Sequence, residues 1–262
     1  IDYVKRFNND FDMSFKGTFT YAHNKVLEYD EPDFQKYPNI SRVGHSVDQQ
    51  LLYIAERLFI DDSEVQRNPK QNLGGWVSGG DIKYKNLPDV NGNYDNVIDS
   101  NDRQYTGMPT TPEIVYGFGP SFRYKKFDFS FFFQGAARVS IMMNGIHPFG
   151  AEGTRNVLQF IADDYWSETN QNIYAEYPRL SKRDNENNTK ASTYWQRNGA
   201  FLKLKNLEVG FNHKFFRVYL RGSNLLTFSP FKYWDPEMGS GSGLSYPTQR
   251  VFNVGVQFSI NK

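Results

Sequence analysis

The sequence predicts an all-β fold of a particular kind, an antiparallel transmembrane β-barrel, and three observations carry that prediction. Long stretches alternate aromatic residues with small or polar ones, so each strand would show one aromatic wall and one polar face. These stretches run to about ten residues, the length that crosses a bilayer when tilted. The segments that join them alternate between very long and very short, which a barrel with long loops on one side and short turns on the other requires.

The first strand is expected within residues 10–24, with Phe11, Met13, Phe15, Phe19 and Tyr21 on one face and Ser14, Lys16, Thr18 and Thr20 on the other. From Lys25 to Pro112 the alternation gives way to Pro, Gly, Asn and Asp punctuation, apart from an apolar piece at 50–60 that reads as a strand or a helical turn. A segment this long and irregular is usually functional. Residues 113–135 then hold two strands with almost no turn between them. Ile114, Tyr116, Phe118, Phe122 and Tyr124 share one parity, and after Lys125 and Lys126 the residues Phe127, Phe129, Phe131 and Phe133 share the next. A second long insertion, 136–199, carries helical spacing at Val157, Phe160, Ile161 and Tyr165.

Residues 200–228 repeat the hairpin plan. Leu202, Leu204, Leu207, Val209 and Phe211 change parity near Asn206, which predicts a bulge, and a tight turn at His213 and Lys214 leads to a return strand over 216–225. A third loop holds Pro230, Trp234, Pro236 and a GSGSG run. The closing strand alternates Phe252, Val254, Val256, Phe258 and Ile260 against Asn253, Gly255, Gln257 and Ser259. The sum is about six strands. Counting back from a periplasmic end of the chain, the strand at 10–24 runs outward and its predecessor is expected before Ile1. The start, IDYVKRFNND, shows no signal peptide although a barrel must be exported, so Ile1 is expected to lie inside a longer chain.

Composition agrees with this class. The chain of 262 residues has a formal net charge of +1 and is 17% aromatic, while its mean hydropathy is −0.66. An aromatic load inside a polar chain is what alternating lipid-facing and lumen-facing residues produce. Near-neutral charge indicates no nucleic-acid partner, and no apolar run approaches the length of a membrane helix. Cysteine is absent, which excludes disulfides and thiolate chemistry.

A succession of short motifs resembles the C-terminal portion of the SusC/RagA family of TonB-dependent outer-membrane transporters. In order they are GDIKYK (80–85), DVNG with VIDSNDR (89–103), GMPTTPEIVYGF (107–118), KKFDFSFFFQG (125–135), YWSETN (165–170) and YPRLS (177–181). FLKLKNLEVGF (201–211), VYLRGSNLLTF (218–228), WDPE (234–237) and the closing strand complete the succession. The resemblance implies that the whole of 1–262 is the C-terminal part of a large barrel of about 22 strands. It also implies import of an oligosaccharide or a peptide, a SusD-like surface lipoprotein as lid, energy from TonB through an N-terminal part, and outer-membrane lipid as surroundings. The plug and the earlier strands do not occur here, and a sheet of six strands alone would expose two unpaired edges to lipid.

Two groups of residues are candidates for binding. Asp89, Asn91, Asp95, Asp99 and Asp102 lie in DVNGNYDNVIDSND, which resembles an EF-hand-like calcium loop of oxygen ligands at alternating positions. Asn93 and Tyr94 stand as an insertion against the family pattern, and Asn96 replaces its turn glycine, a position where Asn tolerates the left-handed conformation. The same spacing also suits an Asx-rich turn without metal. The loop aromatics Trp166, Trp195, Tyr233, Trp234 and Tyr246 could contact substrate or lid, or pack within the loops. Lys203, Lys205 and Glu208 are expected on the lumen face.

Enzymatic arrangements are not found. His23, His45, His147 and His213 have no metal-ligand spacing, no serine sits in a G-x-S-x-G elbow, and the pairs Asp61–Asp62 and Asp163–Asp164 are adjacent rather than facing. A soluble carbohydrate-binding β-sandwich is the competing reading. It would need a second sheet to cover the aromatic wall.

Overall fold

The computed structural model describes residues 1–148, 156–182 and 185–259. Its frame is one seven-stranded sheet: β1 (Asp2–Arg6), β2 (Phe11–Tyr21), β3 (Ile114–Tyr124), β4 (Phe127–Ala137), β5 (Phe201–Asn212), β6 (Phe216–Phe228) and β7 (Val251–Phe258). The order across the sheet is the order in the chain, and every neighbouring pair is antiparallel. In such a meander successive connections fall at opposite edges. The turns 7–10, 125–126 and 213–215 therefore share one edge, and the segments 22–113, 138–200 and 229–250 share the other.

The seventh strand corrects the expectation that the predecessor of β2 lies before Ile1. It is Asp2–Arg6, which escapes a pattern search because it is short and puts Tyr3 and Lys5 on one face with Val4 on the other. Pairing holds it: Asp2 stands opposite Lys16 and Arg6 opposite Asp12, the last two in an ion pair of 3.5 Å. Ile260, expected at the end of the closing strand, lies outside the described residues.

Register keeps the two faces separate across the sheet. On one face Phe11, Tyr124, Phe127 and Phe211 align through successive pairs, as do Met13, Phe122, Phe129 and Val209. Ring contacts tie this face together along and across strands, with centroids 5.6 Å apart for Phe118–Phe133, 5.7 Å for Phe129–Phe131 and 5.3 Å for Phe127–Phe211. The face is uncovered: Phe19 is 69% exposed and Phe252 76%. An aromatic wall left open on this scale suits lipid and does not suit the interior of a sandwich.

The expected bulge is present. Phe132 pairs with Asn206 and Phe133 with Leu204, which leaves Lys205 without a partner on β4. On the other side the register slips between Leu204 and Asn206 against β6, where Asn224 takes a left-handed φ of +55°. The bulge restores the face alternation and lets β6 continue to Phe228 rather than stopping at Leu225.

The buried apolar cluster lies not on the sheet but in the long connections. Leu52, Leu58, Ile82, Tyr84, Ile98, Ile141, Ile161 and Trp195 belong to one cluster. Around it stand four two-stranded pairings: 50–53 with 103–106, 55–58 with 82–84, 70–71 with 97–98, and 140–142 with 196–198. Three short helices, α1 (Asp62–Arg67), α2 (Gln159–Asp163) and α3 (Glu186–Thr189), complete this cap. The apolar piece at 50–60 is thus two strands, and the helical spacing near 157–165 condenses to five residues.

Candidate functional site

The polar face of the sheet and the cap above it form the candidate site. Near the short turns the face carries a band of charges: Arg123 pairs with Asp12, and Arg217 spans strands to reach Asp128 at 2.5 Å and Glu208 at 2.6 Å. Glu208, expected on the lumen face, is therefore part of this band. Small residues, Ser14, Gly119, Ser121 and Ser130, occupy the same face further in, so the middle of the wall stays low.

At the cap end a second cluster involves the other two expected lumen charges. Lys203 is only 1% exposed, and its Nζ lies 2.5 Å from both Asp235 and Glu237, while Lys205 reaches Glu237 at 2.6 Å. Both carboxylates come from the WDPE segment, and Asp235 also caps the short helical turn 236–238 by accepting the Glu237 N–H at 3.1 Å. Burial works against the charge of Asp235, yet the bond from Lys203, the Glu237 N–H and the Lys203 charge together outweigh it and hold its carboxyl below the ordinary aspartate range. The third loop is thus fastened to the barrel wall through an ion cluster.

The four carboxylates of the DVNGNYDNVIDSND segment each accept nearby backbone N–H groups, and Asn91 donates one of them. Asp89 accepts the N–H groups of Asn91 and Asn93, both at 2.9 Å, Asp95 that of Val97 at 3.0 Å, and Asp99 that of Asn101 at 2.8 Å. Asp102 is buried and accepts from Leu87 at 2.6 Å and Asp99 at 2.8 Å, closing a capping box. The backbone bonds from Asn93 and then Asn91 lower the Asp89 pKa, whereas burial raises that of Asp102. Asn96 takes the expected left-handed φ, +59°. Among the described residues no group of three or more His, Cys, Asp or Glu is arranged to hold a metal ion.

The five loop aromatics separate into three environments. Trp166 and Trp195 are buried in the cap core, where Trp195 donates to the Asn188 carbonyl at 2.7 Å and packs on Tyr177 and Tyr194. Tyr233 and Trp234 are half-buried against that core and line a cleft of about 370 Å³ with Phe160 and Leu244. Tyr246 stands 79% exposed.

Sequence reasoning missed the polar stitching that holds the cap together. Asn187 and Asn188, both buried, bind the strand at 82–84: the Asn187 amide donates to the Ile82 carbonyl at 3.0 Å, and Asn188 accepts the Ile82 N–H at 2.9 Å. Gln71 donates to Asn187 at 2.7 Å, and Asn188 donates to Asp81 at 2.9 Å. The only available signal was an Asn-Asn pair in a polar run, which reads as loop.

Comparison with known proteins bears on what this architecture belongs to. No family model matches the chain. It is 27% identical over 278 residues to TonB-dependent receptor P3 of Formosa agariphila, covering 95% of this chain and 27% of the relative. To TonB-dependent receptor P26 of the same organism it is 28% identical over 269 residues, covering 89% and 26%. The chain is thus similar along nearly its whole length to parts of two TonB-dependent receptors. The solved RagAB peptide transporter superposes with a TM-score of 0.65 at 20% identity over 98% of this chain, and the RagAB importer in the open-open state with 0.66 over 99%. Each match spans little more than a quarter of the other protein, 28% for both RagAB structures. The fold is accordingly the strands of a large antiparallel transmembrane barrel with long extracellular loops and short periplasmic turns.

Proposed function

We propose that the chain supplies C-terminal wall strands and extracellular loops to an outer-membrane importer of bulky nutrients, oligosaccharides or peptides, and has no enzymatic role. One observation carries this reading: an antiparallel meander with an uncovered aromatic face, an opposite polar face, and every long connection gathered at one edge. Strands outside 1–262 would pair with the free edges of β1 and β7, since lipid leaves no backbone group unsatisfied. In this reading a SusD-like lipoprotein closes over the cap, and TonB acts through a plug that precedes these strands. The names of the TonB-dependent receptors and of the RagAB peptide transporter support it.

Among the loop aromatics, Tyr246 and the half-buried pair Tyr233 and Trp234 are the ones accessible to a lid or a cargo, while Trp166 and Trp195 serve the cap core. Calcium enters only if the 89–102 segment rearranges to free its carboxylates. The test is outer-membrane fractionation with heat-modifiable gel migration, followed by loss of growth on a nutrient panel when the gene is deleted. A protein that stays soluble and monodisperse without detergent would instead support the sandwich.

A further inference from the structure

A second cleft in the cap, about 570 Å³, opens between the start of α1, the turn at 76–80 and the segment 166–171. Its form is fixed by two glycines. A Cβ on Gly79 would meet the Asp61 backbone at 2.8 Å, and one on Gly80, whose φ is +80°, would meet the Trp166 ring at 2.2 Å. Both walls thus press on a floor that no other residue permits. Trp166 is 6% exposed, and its indole N–H, which is buried, has no acceptor among the described residues. Trp76, by contrast, is 72% exposed at the rim, with the Arg179 guanidinium 5.6 Å from its ring centroid.

The charge balance of the cleft is one-sided. Arg179 is its sole basic lining residue and is matched by the wholly buried Asp81, to which it donates at 3.0 Å. Asp61, Asp62 and Glu168 also line the cleft, and all three are exposed. Asp61 accepts the Glu64 N–H at 2.7 Å, and Asp62 accepts the Gly79 N–H at 2.8 Å and the Ser78 hydroxyl; the Arg179 charge is felt at Asp62, but none of Asp61, Asp62 and Glu168 is in an ion pair among the described residues. An aromatic face beside carboxylates outside ion pairs attracts an organic cation, as Arg179 on Trp76 already illustrates. The space exceeds what one side chain fills, leaving room for the backbone on either side of it.

We propose that this cleft binds a basic side chain, the ammonium of Lys or the guanidinium of Arg, within a peptide, which stacks on the free face of Trp76 with Glu168 and Asp61 as counter-charges. The proposal narrows the importer reading, on which it rests, to peptides carrying a positive charge.

The test is isothermal titration of the detergent-purified protein at low salt with glycine pentapeptides centred on Lys, Arg or Glu, and with maltotriose. The Lys and Arg peptides are expected to bind, to weaken as salt is raised, and to lose roughly tenfold in affinity with Glu168→Gln or Trp76→Ala. Both substitutions lie on the surface, and an unchanged melting temperature will show that the fold is kept. Equal binding of the Glu peptide, binding of maltotriose alone, or affinities that neither substitution moves would each overturn the proposal. Because binding is read without uptake, failure to insert or to support growth would count against the importer reading and leave this site standing.

Discussion

Lys203 shows how a single side chain can join two parts of the molecule. Taking an ammonium out of water is costly unless it is paired, and here Asp235 and Glu237 supply the pairing. Lys203→Met is expected to cost about 3 kcal/mol and to release the 229–250 loop, seen as faster proteolysis at the GSGSG tip than in the parent. Glu64 fastens α1 to the cap in the same manner, bound by Arg57 at 2.5 Å and Lys83 at 3.2 Å. Burial raises its pKa, but these partners and the Ile60 N–H outweigh that and bring it to about 2 from 4.5. A carboxyl with a depressed folded pKa stabilises fully above its unfolded value and loses that contribution as pH falls through the folded one. Cap stability should therefore fall by up to about 3 kcal/mol between pH 4.5 and pH 2, and Glu64→Gln should flatten that part of the melting-temperature profile. Asn188→Ala would strand the buried Ile82 N–H and take a donor from the buried Asp81 carboxylate, at a cost of about 2 kcal/mol by denaturant melting.

Alternation makes a strand readable from sequence, and pairing sets its limits. β3, β4 and β5 stand where the aromatic period put them, because a one-residue slip would turn every aromatic side chain into the polar face. β1 was not legible, since five residues with one aromatic carry almost no period and only the partner strand defines them. The two faces predict opposite tolerance. Phe131→Asp or Val254→Lys puts a charge into the lipid layer, with a penalty of about 2–4 kcal/mol for a cation near the midplane, and should abolish the heat-modifiable form in outer-membrane fractions. Gln257→Ala, on the polar face opposite Arg217, should assemble like the parent. Equal sensitivity on both faces would mean that both are covered.

The whole molecule divides into a wall that buries little and a cap that buries much. The apolar cluster draws on the connections 22–113, 138–200 and 229–250 together, so the cap forms only once the strands have brought its three loops to one edge. Cap and wall should consequently not melt independently, and a deletion spanning 156–182 should lower the melting temperature of what remains rather than remove a separate transition. Intrinsic tryptophan fluorescence checks this, because Trp195 and Trp234, both outside the deletion, lie in or against the cap core.

The sequence by itself determined most of the wall: six of its seven strands, its two faces, its bulge near Asn206 and the sidedness of its loops. All of these follow from a period-two pattern, which is local and repeats along each strand. It also pointed, through the order of short motifs, to the TonB-dependent receptors that the chain is similar to. Only the tertiary structure decided what the loops do. That Asn187 completes a strand a hundred residues away, that WDPE answers Lys203, that two of the five loop aromatics are core, and that Asp61, Trp76 and Glu168 share a cleft depends on contacts between distant segments. Such contacts leave no period in a sequence, because each is made once, by residues whose types suit a turn as well as a core.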